Sequence, residues 1–357
     1  MSLGYRGTVI HSLGLKQLAV LRDGLLAVDK TSGNITGLTD LSGDAAATAA
    51  ALGAVDEVIT LGPGRFLIPG FVDGHAHAPQ YAFAGLGMSL PLLEWLETYT
   101  FPCEAKFKDT TFAERIYQKA VNRHVRNGIT TCSWFGSIHL EGTKVLVDVI
   151  RAVGQRAHVG KVSMDRNSPD YYIEPTLQGV REVEAFVDYV KQTGVKHADQ
   201  DGASLAAMGP AHSDSQPLKL PQKRSAGALG AAEEEEEDPK RRPQQARVSP
   251  EGQSGGAGSS DDLVTPSVIP RFVPSCTSEM MRELARISRE HCLPVHSHLS
   301  ESVAEIEWVK SLHPEAQTYA QVYQDHGLLH SRSYMAHCVH CWYVSHPHPC
   351  APWSFYA

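Results

Sequence analysis

The sequence lacks the features of a secreted or membrane-bound chain. Its N-terminus has no basic segment followed by an apolar core, and no apolar run approaches the roughly 20 residues that span a bilayer. The seven cysteines are odd in number and have no framework spacing, which argues against a disulfide scaffold and favours a reducing compartment. We therefore predict a cytoplasmic protein, located in the cytosol and without a membrane partner.

Positive charge is also scarce in this chain. The formal net charge is -8, and the basic residues do not gather into a stripe along any segment with a regular pattern. A nucleic acid or an anionic membrane needs such a stripe on its protein partner, so neither is predicted as the main partner. A small-molecule substrate fits the composition better.

The pattern of apolar residues divides the chain into two kinds of structure. With 357 residues, the chain is long enough for a large core and for more than one unit. Residues 1–68 alternate short β-rich runs with Gly and Asp turns, which is typical of a small sheet domain. Apolar strands then alternate with amphipathic helices over residues 69–196 and 267–338. Six such parallel βα units in a row favour a barrel over a two-layer sheet.

A polar segment, residues 197–266, separates the third unit from the fourth. It contains the acidic run Glu233–Asp238, then a basic run and a stretch rich in Gly and Ser. Such a composition cannot offset its ordering entropy, so we predict a disordered insertion. The alternative is a charged segment that binds a partner and makes the chain a scaffold. In the divergent tail, residues 339–357, the C-x-x-C pair Cys338 and Cys341 is a weak signal for a separate zinc site.

Two histidines one residue apart end the first strand of the predicted barrel. The stretch "PGFVDGHAH" places His75 and His77 at i and i+2, so both imidazoles point to one face. His298 lies in the fifth strand and His337 ends the sixth. Side chains at the C-terminal ends of parallel barrel strands converge, and a catalytic zinc takes about three protein ligands with one position left for water. The histidines therefore predict a zinc site at this end of the barrel.

Two assignments stay open at this point. His296 precedes His298 by two residues and shares its face, so periodicity cannot choose between them. Glu301 follows His298 by three residues, where its carboxylate can stand over a metal-bound water and transfer a proton. The competing interpretation of Glu301 is an acid at a helix N-terminus, favoured there by the helix dipole.

Several longer motifs resemble one enzyme family. The stretches "FLIPGFVDGHAHAPQYAFAG", "PLLEWLETYTFP", "PRFVPSC", "HSHLSE" and "MAH" are similar to those of the guanine deaminase family of the amidohydrolase superfamily. The resemblance covers roughly residues 5–195 and 267–337. It implies a hydrolase that converts guanine and water to xanthine and ammonia in purine catabolism. It also implies a (β/α)8 TIM-like barrel with a flanking β-sandwich domain, and usually a homodimer.

The resemblance also implies one Zn2+ per chain and a role for each of eight residues. They are the zinc ligands His75, His77 and His298, the proton shuttle Glu301, His337 beside the metal-bound water, and the purine-binding residues Gln80, Arg271 and Phe272. A fork-shaped donor such as guanidinium and an aromatic face suit a planar, polar heterocycle.

The chain departs from this family after its sixth strand. Family members continue with two more βα units and a last-strand Asp that binds zinc, whereas here no acidic residue follows Asp325. We therefore expect an incomplete barrel and an N-terminal β-sandwich part that lacks its C-terminal strands. The alternative function is a catalytically silent fragment that pairs with full-length subunits.

Overall fold

A computed structural model describes residues 1–198 and 263–341 of the protein. Most of the segment predicted as a disordered insertion, and the tail beyond Cys341, lie outside the described residues.

The N-terminal residues form one mixed sheet. Its strands and the helix between the third and the fourth are β1 (Ser2–Gly14), β2 (Gln17–Asp29), β3 (Ile35–Asp40), α1 (Ala45–Gly53), β4 (Glu57–Thr60) and β5 (Phe66–Leu67). The sheet order is β3-β2-β1-β4, and β5 also pairs with β1. The β1–β2 and β2–β3 pairs are antiparallel, whereas β4 and β5 run parallel to β1.

This sheet buries little apolar surface. Val9, Leu25 and Leu41 are its buried hydrophobic side chains. Several others on its strands are exposed: Leu18, Val20, Ile35, Leu38, Val58, Ile59 and Phe66. Exposed apolar positions on strands of one sheet are typical of a surface that another layer covers.

The rest of the described chain alternates strands and helices. In chain order the elements are β6 (Phe71–His77), α2 (Leu92–Trp95), α3 (Phe101–Glu104), α4 (Thr110–Arg126), β7 (Ile129–Phe135), α5 (Leu140–Val153), β8 (Arg156–Gly160), β9 (Val162–Ser163), α6 (Thr176–Ala198), β10 (Val264–Pro266), β11 (Ile269–Pro270), α7 (Ser278–Glu290), β12 (Val295–Leu299), α8 (Val303–Leu312), α9 (Tyr319–Asp325) and β13 (Ser333–His337). Three 3-10 helices of three to six residues, Ala78–Phe83, Asp170–Tyr172 and Val273–Ser275, lie between them, and a π-helical turn, Leu96–Thr100, and a 3-10 turn, Ala105–Lys108, flank α3.

The strands from β6 onward pair in parallel. The ladders are β6–β7, β7–β8, β8–β10, β9–β11 and β12–β13. A bridge between Val268 and Val295 joins the fourth unit to the fifth. The predicted alternation of parallel strands with helices is therefore confirmed. The strand β10 lies within the range 197–266, and its pairing with β8 adds it to the barrel wall.

Large apolar side chains fill the space between these strands and the helices around them. One cluster joins β7 and β8 to α4, α5 and α6 and includes Tyr117, Trp134, Leu146 and Phe186. A second lies under α7, α8 and α9 and includes Met281, Leu284, Val295 and Tyr323. Because the side chains of both clusters are buried and packed against one another, the strands that carry the site rest on a rigid base. No helix within the described residues is long and apolar enough to cross a membrane.

Asp109 caps the N-terminus of α4. Its carboxylate accepts hydrogen bonds from the backbone N–H groups of Thr111 and Phe112, at 2.9 and 3.2 Å. We expect Asp109→Ala to lower the free energy of unfolding by about 1 kcal/mol, because two helix N–H groups lose their acceptor. Urea denaturation followed by circular dichroism measures this change. Asp109→Asn keeps a capping oxygen and is the matched control, so an equal loss in both variants would contradict the capping role.

Candidate active site

Five histidines meet where three of the parallel strands end. β6 supplies His75 and His77, β12 supplies His296 and His298, and β13 supplies His337. The ring centroid of His75 lies 4.7 Å from that of His298 and 5.2 Å from that of His337. The Nε2 atoms of His77 and His298 are 3.0 Å apart. The structure thus brings together the histidines predicted from the strand ends.

The spacing of these nitrogens fits a metal ion. His75, His298 and His337 each offer one nitrogen, and these three atoms lie within 4.8 Å of one another. Two imidazoles that share one zinc, with Zn–N bonds of about 2.0–2.1 Å, hold their nitrogens roughly 3 Å apart. The separation of the Nε2 atoms of His77 and His298, 3.0 Å, matches that value. His296 also faces the cluster, because its Nε2 lies 2.9 Å from Nδ1 of His75.

The imidazoles of the cluster are held in the neutral form that binds a metal. Burial lowers the pKa of His75 to about 3, and it lowers the pKa of His77 and of His298 well below the ordinary value. Neutral imidazoles keep the lone pair that a cation needs. Nδ1 of His298 lies 2.6 Å from the carbonyl oxygen of Arg271, which leaves Nε2 facing the cluster. Nδ1 of His77 is buried and has no hydrogen-bond partner among the described residues.

Phe135 forms an apolar wall behind the histidines. Its ring is fully buried at the end of β7, with its centroid 4.4 Å from that of His77 and 5.0 Å from those of His75 and His298. An apolar wall of this kind excludes water from one side of a metal site and limits the rotation of its ligands.

Glu301 lies at the mouth of the cluster, beyond the end of β12. Ser300 has φ of 52°, a left-handed backbone that turns the chain just before Glu301. An oxygen of Glu301 lies 3.4 Å from Nε2 of His337. Burial is the largest influence on this carboxyl and, with the neighbouring Glu305, raises its pKa to about 7. A carboxyl with this pKa can both accept and donate a proton near neutral pH.

Glu301 directly precedes the N-cap of α8, as the alternative interpretation of an acid at a helix N-terminus expects, but other residues make the capping hydrogen bonds. The Ser302 side chain accepts a hydrogen bond from the backbone N–H of Glu305, and the Glu305 carboxylate accepts one from the backbone N–H of Ser302. This reciprocal pair is a capping box at the start of α8. The Glu301 side chain is therefore free to face His337.

A buried ion pair lies beside the histidines. Arg271 is 2% exposed, Glu104 is fully buried, and the guanidinium donates two hydrogen bonds, of 2.6 and 3.2 Å, to the two oxygens of Glu104. Burial opposes the charge of Arg271, but Glu104 outweighs it and raises the pKa of the guanidinium. The same carboxylate accepts hydrogen bonds from the Tyr172 hydroxyl, at 2.7 Å, and from Gln80, at 3.4 Å. Glu104 thus fixes two residues predicted to bind substrate.

Four of the five histidines, Glu301 and Arg271 open into one cavity of ≈ 230 Å³. Its walls are formed by His75, Ala76, His77, Gln80, Leu92, Trp95, Leu96, Arg271, Phe272, His298, Glu301 and His337. The cavity therefore contains every site residue predicted from the sequence. Its volume suits a small molecule.

Comparison with known families identifies the chain. The Amidohydrolase family model matches residues 66–348, which include β6 to β13 and the histidine cluster. The chain belongs to the amidohydrolase family. This assignment agrees with the resemblance seen in the sequence motifs.

Individual relatives of this amidohydrolase are guanine deaminases. The chain is 38% identical over 344 residues to the guanine deaminase of Dictyostelium discoideum and 36% identical over 339 residues to that of Mus musculus. Each alignment covers 94% of this chain but 62% and 60% of the two relatives. The chain thus spans about three fifths of the length of the curated relatives that it matches.

Solved structures agree with this assignment. The guanine deaminase from C. acetobutylicum with bound guanine matches with a TM-score of 0.68 and 28% identity, over 95% of this chain and 63% of that one. An atrazine chlorohydrolase from Arthrobacter aurescens complexed with zinc matches with a TM-score of 0.61 and 16% identity, over 94% of this chain and 61% of that one, which supports the fold alone. The fold is therefore of the TIM-barrel type.

Sequence reasoning missed three residues of this amidohydrolase site. Glu104, Phe135 and Tyr172 lie on separate elements, and none has the spacing of a ligand motif. Glu104 did carry a signal, because it is an acid inside the otherwise apolar stretch "FPCEA". A fully buried carboxylate of this kind needs a cationic partner, and Arg271 supplies it.

Proposed function

We propose that this chain carries the catalytic centre of a zinc-dependent aminohydrolase that converts guanine and water to xanthine and ammonia. The observation that carries the proposal is one cavity that is lined by four histidines, Glu301 and Arg271, with Glu104 paired to Arg271 behind its wall. The similarity to guanine deaminases supports guanine as the substrate. The chemistry of the side chains is consistent with each step of that reaction.

One zinc ion per chain would be held by His75, His77 and His298. Burial keeps all three imidazoles neutral. His75 and His298 share ligand spacing with His337, and Nε2 of His77 lies 3.0 Å from Nε2 of His298. Zinc at such a site lowers the pKa of a bound water towards about 7 and so makes a nucleophile available at neutral pH. The ordered Nδ1 of His298 keeps its ring in the required orientation.

Glu301 is proposed to move the proton in this reaction. The water oxygen forms a bond to the ring carbon that bears the amino group, and the bond from that carbon to the amino nitrogen breaks. Glu301 takes one proton from the water and delivers it to the departing nitrogen, which leaves as ammonia, and the second proton of the water ends on the adjacent ring nitrogen of xanthine. His337, 3.4 Å from Glu301, is in position to orient the same water by a hydrogen bond.

Arg271, Gln80 and Phe272 are proposed to bind the purine. Arg271 and Gln80 present N–H donors to the cavity, and the Phe272 ring lines one of its walls. A guanidinium held flat by a carboxylate keeps its remaining donors at fixed angles, which suits the edge of a planar heterocycle. Glu104 supplies this rigidity through its two hydrogen bonds to Arg271.

We expect Glu104→Gln to weaken guanine binding by tenfold or more. The amide cannot match both charge-assisted bonds to Arg271, and such a bond contributes about 1.5–3 kcal/mol. Equilibrium titration of the protein with guanine measures the dissociation constant, and elemental analysis checks that the metal content is unchanged. Glu97→Gln, an exposed acid on the same segment, is the matched control. Unchanged guanine affinity in the Glu104 variant would contradict the positioning role.

The function as a whole is tested with the purified protein. Metal analysis together with guanine consumption, coupled to xanthine oxidase, should give one zinc per chain and formation of xanthine. Zinc without turnover would instead support the alternative of a silent subunit that pairs with a longer chain, which co-purification can detect. Absence of both zinc and turnover would overturn the proposal.

Finer features of the fold and of the assembly belong to the same proposal. The parallel strands from β6 onward are proposed to be part of an eight-stranded barrel, and the N-terminal sheet one layer of a β-sandwich. The exposed apolar side chains of that sheet support the second assignment. A homodimer and a cytosolic location are proposed from the resemblance, and sedimentation and cell fractionation test them.

A further inference from the structure

A second group of metal-binding side chains lies outside the histidine cluster. Asp73 on β6 and Cys132 on β7 are register partners in the parallel ladder. His124 lies in the last turn of α4, which packs over these strands. The carboxylate, the imidazole and the thiol each offer one ligand atom, and these atoms all lie within 4.8 Å of one another.

Hydrogen bonds within the protein do not satisfy this group. Nδ1 of His124 is buried and has no hydrogen-bond partner among the described residues. It lies 3.8 Å from an oxygen of Asp73, which is too long for a hydrogen bond. Cys132 is 1% exposed. Buried polar atoms normally have partners, so an unpaired nitrogen between a carboxylate and a thiol calls for an explanation.

The environment holds the imidazole of His124 in place. Its ring packs on Trp134, with centroids 4.3 Å apart, and the other oxygen of Asp73 accepts a hydrogen bond from the backbone N–H of His75 at 3.0 Å. These contacts leave Oδ2 of Asp73 and Nδ1 of His124 facing each other. The group is therefore preorganised by packing and by the backbone, as a binding site requires.

We propose that Asp73, His124 and Cys132 form a second site, which binds a borderline divalent cation such as Zn2+ or Co2+. One oxygen, one nitrogen and one sulfur ligand are the donor types that zinc accepts, and a hard cation such as Mg2+ would not select the thiol. Binding exchanges the thiol proton for the metal and releases that proton to solvent. A water completes the coordination.

The site has an entry path and a structural consequence. His124 lines a cavity of ≈ 330 Å³ together with Gln80 and Trp134, so an ion in this cavity would reach the site from the side of His124. A bound ion would tie α4 to both β6 and β7. Since Asp73 also accepts the hydrogen bond from the N–H of His75, the ion would stiffen the segment that presents His75 and His77.

Cobalt substitution tests the proposal without any measurement of enzyme activity. The five clustered histidines supply no sulfur, so a near-ultraviolet thiolate-to-cobalt band reports a cysteine ligand. We expect the Co2+-loaded protein to show this band and to bind about two ions per chain. His298→Asn should lower the occupancy of the histidine site and keep the band. The result for the histidine site and the result for the second site can therefore be told apart.

Variants at the second site should behave differently from matched controls. Cys132→Ala and His124→Asn should each lower the stoichiometry from about two ions to about one, and Cys132→Ala should abolish the band. His124→Asn covers the case in which the Cys132 variant does not fold. Cys276→Ala, another buried cysteine, is the control and should keep the band. The proposal is overturned if no band forms, or if the band survives Cys132→Ala; Cys338→Ser then shows whether Cys338 is the source of the surviving band.

Discussion

Replacing Glu301 with Gln is expected to lower guanine turnover by about 100- to 10,000-fold, which is the usual contribution of a positioned general acid or base. Gln has nearly the shape of Glu and can still hydrogen-bond His337, but it cannot accept a proton from water at neutral pH. Because Glu301 is not among the proposed metal ligands, the bound zinc should remain. The measurements are the steady-state rate of xanthine formation and the metal content of the same sample.

Two controls make the Glu301 result specific. Glu307→Gln changes an exposed acid on the following helix, α8, and should leave turnover and metal content unchanged. Glu305→Gln alters the capping box and removes a carboxylate that helps to raise the pKa of Glu301, so it should lower stability and shift the pH dependence of turnover without abolishing turnover. If Glu301→Gln keeps full turnover, Glu301 does not transfer the proton. If this variant loses its zinc, the carboxylate holds the metal instead.

Replacing His298 with Asn is expected to abolish tight zinc binding and, with it, turnover. Loss of a direct ligand should weaken zinc affinity beyond the roughly 10- to 100-fold typical of an outer-shell partner. His298 is chosen because the carbonyl oxygen of Arg271 orients its ring and its Nε2 lies 3.0 Å from that of His77. Competition with a chelating indicator measures the affinity.

His296→Asn is the matched control for the His298 variant. His296 lies on the same strand and is equally buried, but its ring packs on Tyr334 at 4.2 Å and its Nε2 faces Nδ1 of His75. We expect at most the outer-shell loss of affinity in this variant. A larger loss in His296→Asn than in His298→Asn would reverse the assignment of the ligand on β12.

Much of the fold was predictable because its signals are local. The apolar runs and amphipathic segments over residues 69–196 and 267–338 predicted parallel βα units, and the strands from β6 onward pair in parallel. Prediction was weakest where a strand is short and lies next to a polar segment. β10 contains three residues, and only its ladder with β8 distinguishes it from the preceding linker.

The candidate site was predictable in part because some of its signals are also local. His75 and His77 share a strand, and Glu301 follows His298 by three residues in the sequence, so motif spacing predicted these residues. Glu104 is 167 residues away from Arg271 in sequence, and no periodicity connects the two. The same holds for the second group, in which His124 comes from a helix and its partners come from two strands.

The sequence by itself determined the element types, the parallel order of the units and the residue types suited to zinc, because periodicity and motif spacing act over a few residues. Only the tertiary structure decided which histidine nitrogens face one another, that Ser302 and Glu305 cap α8, and that Glu104 holds Arg271. Those relationships depend on how strands and helices pack, and packing joins residues that lie far apart along the chain.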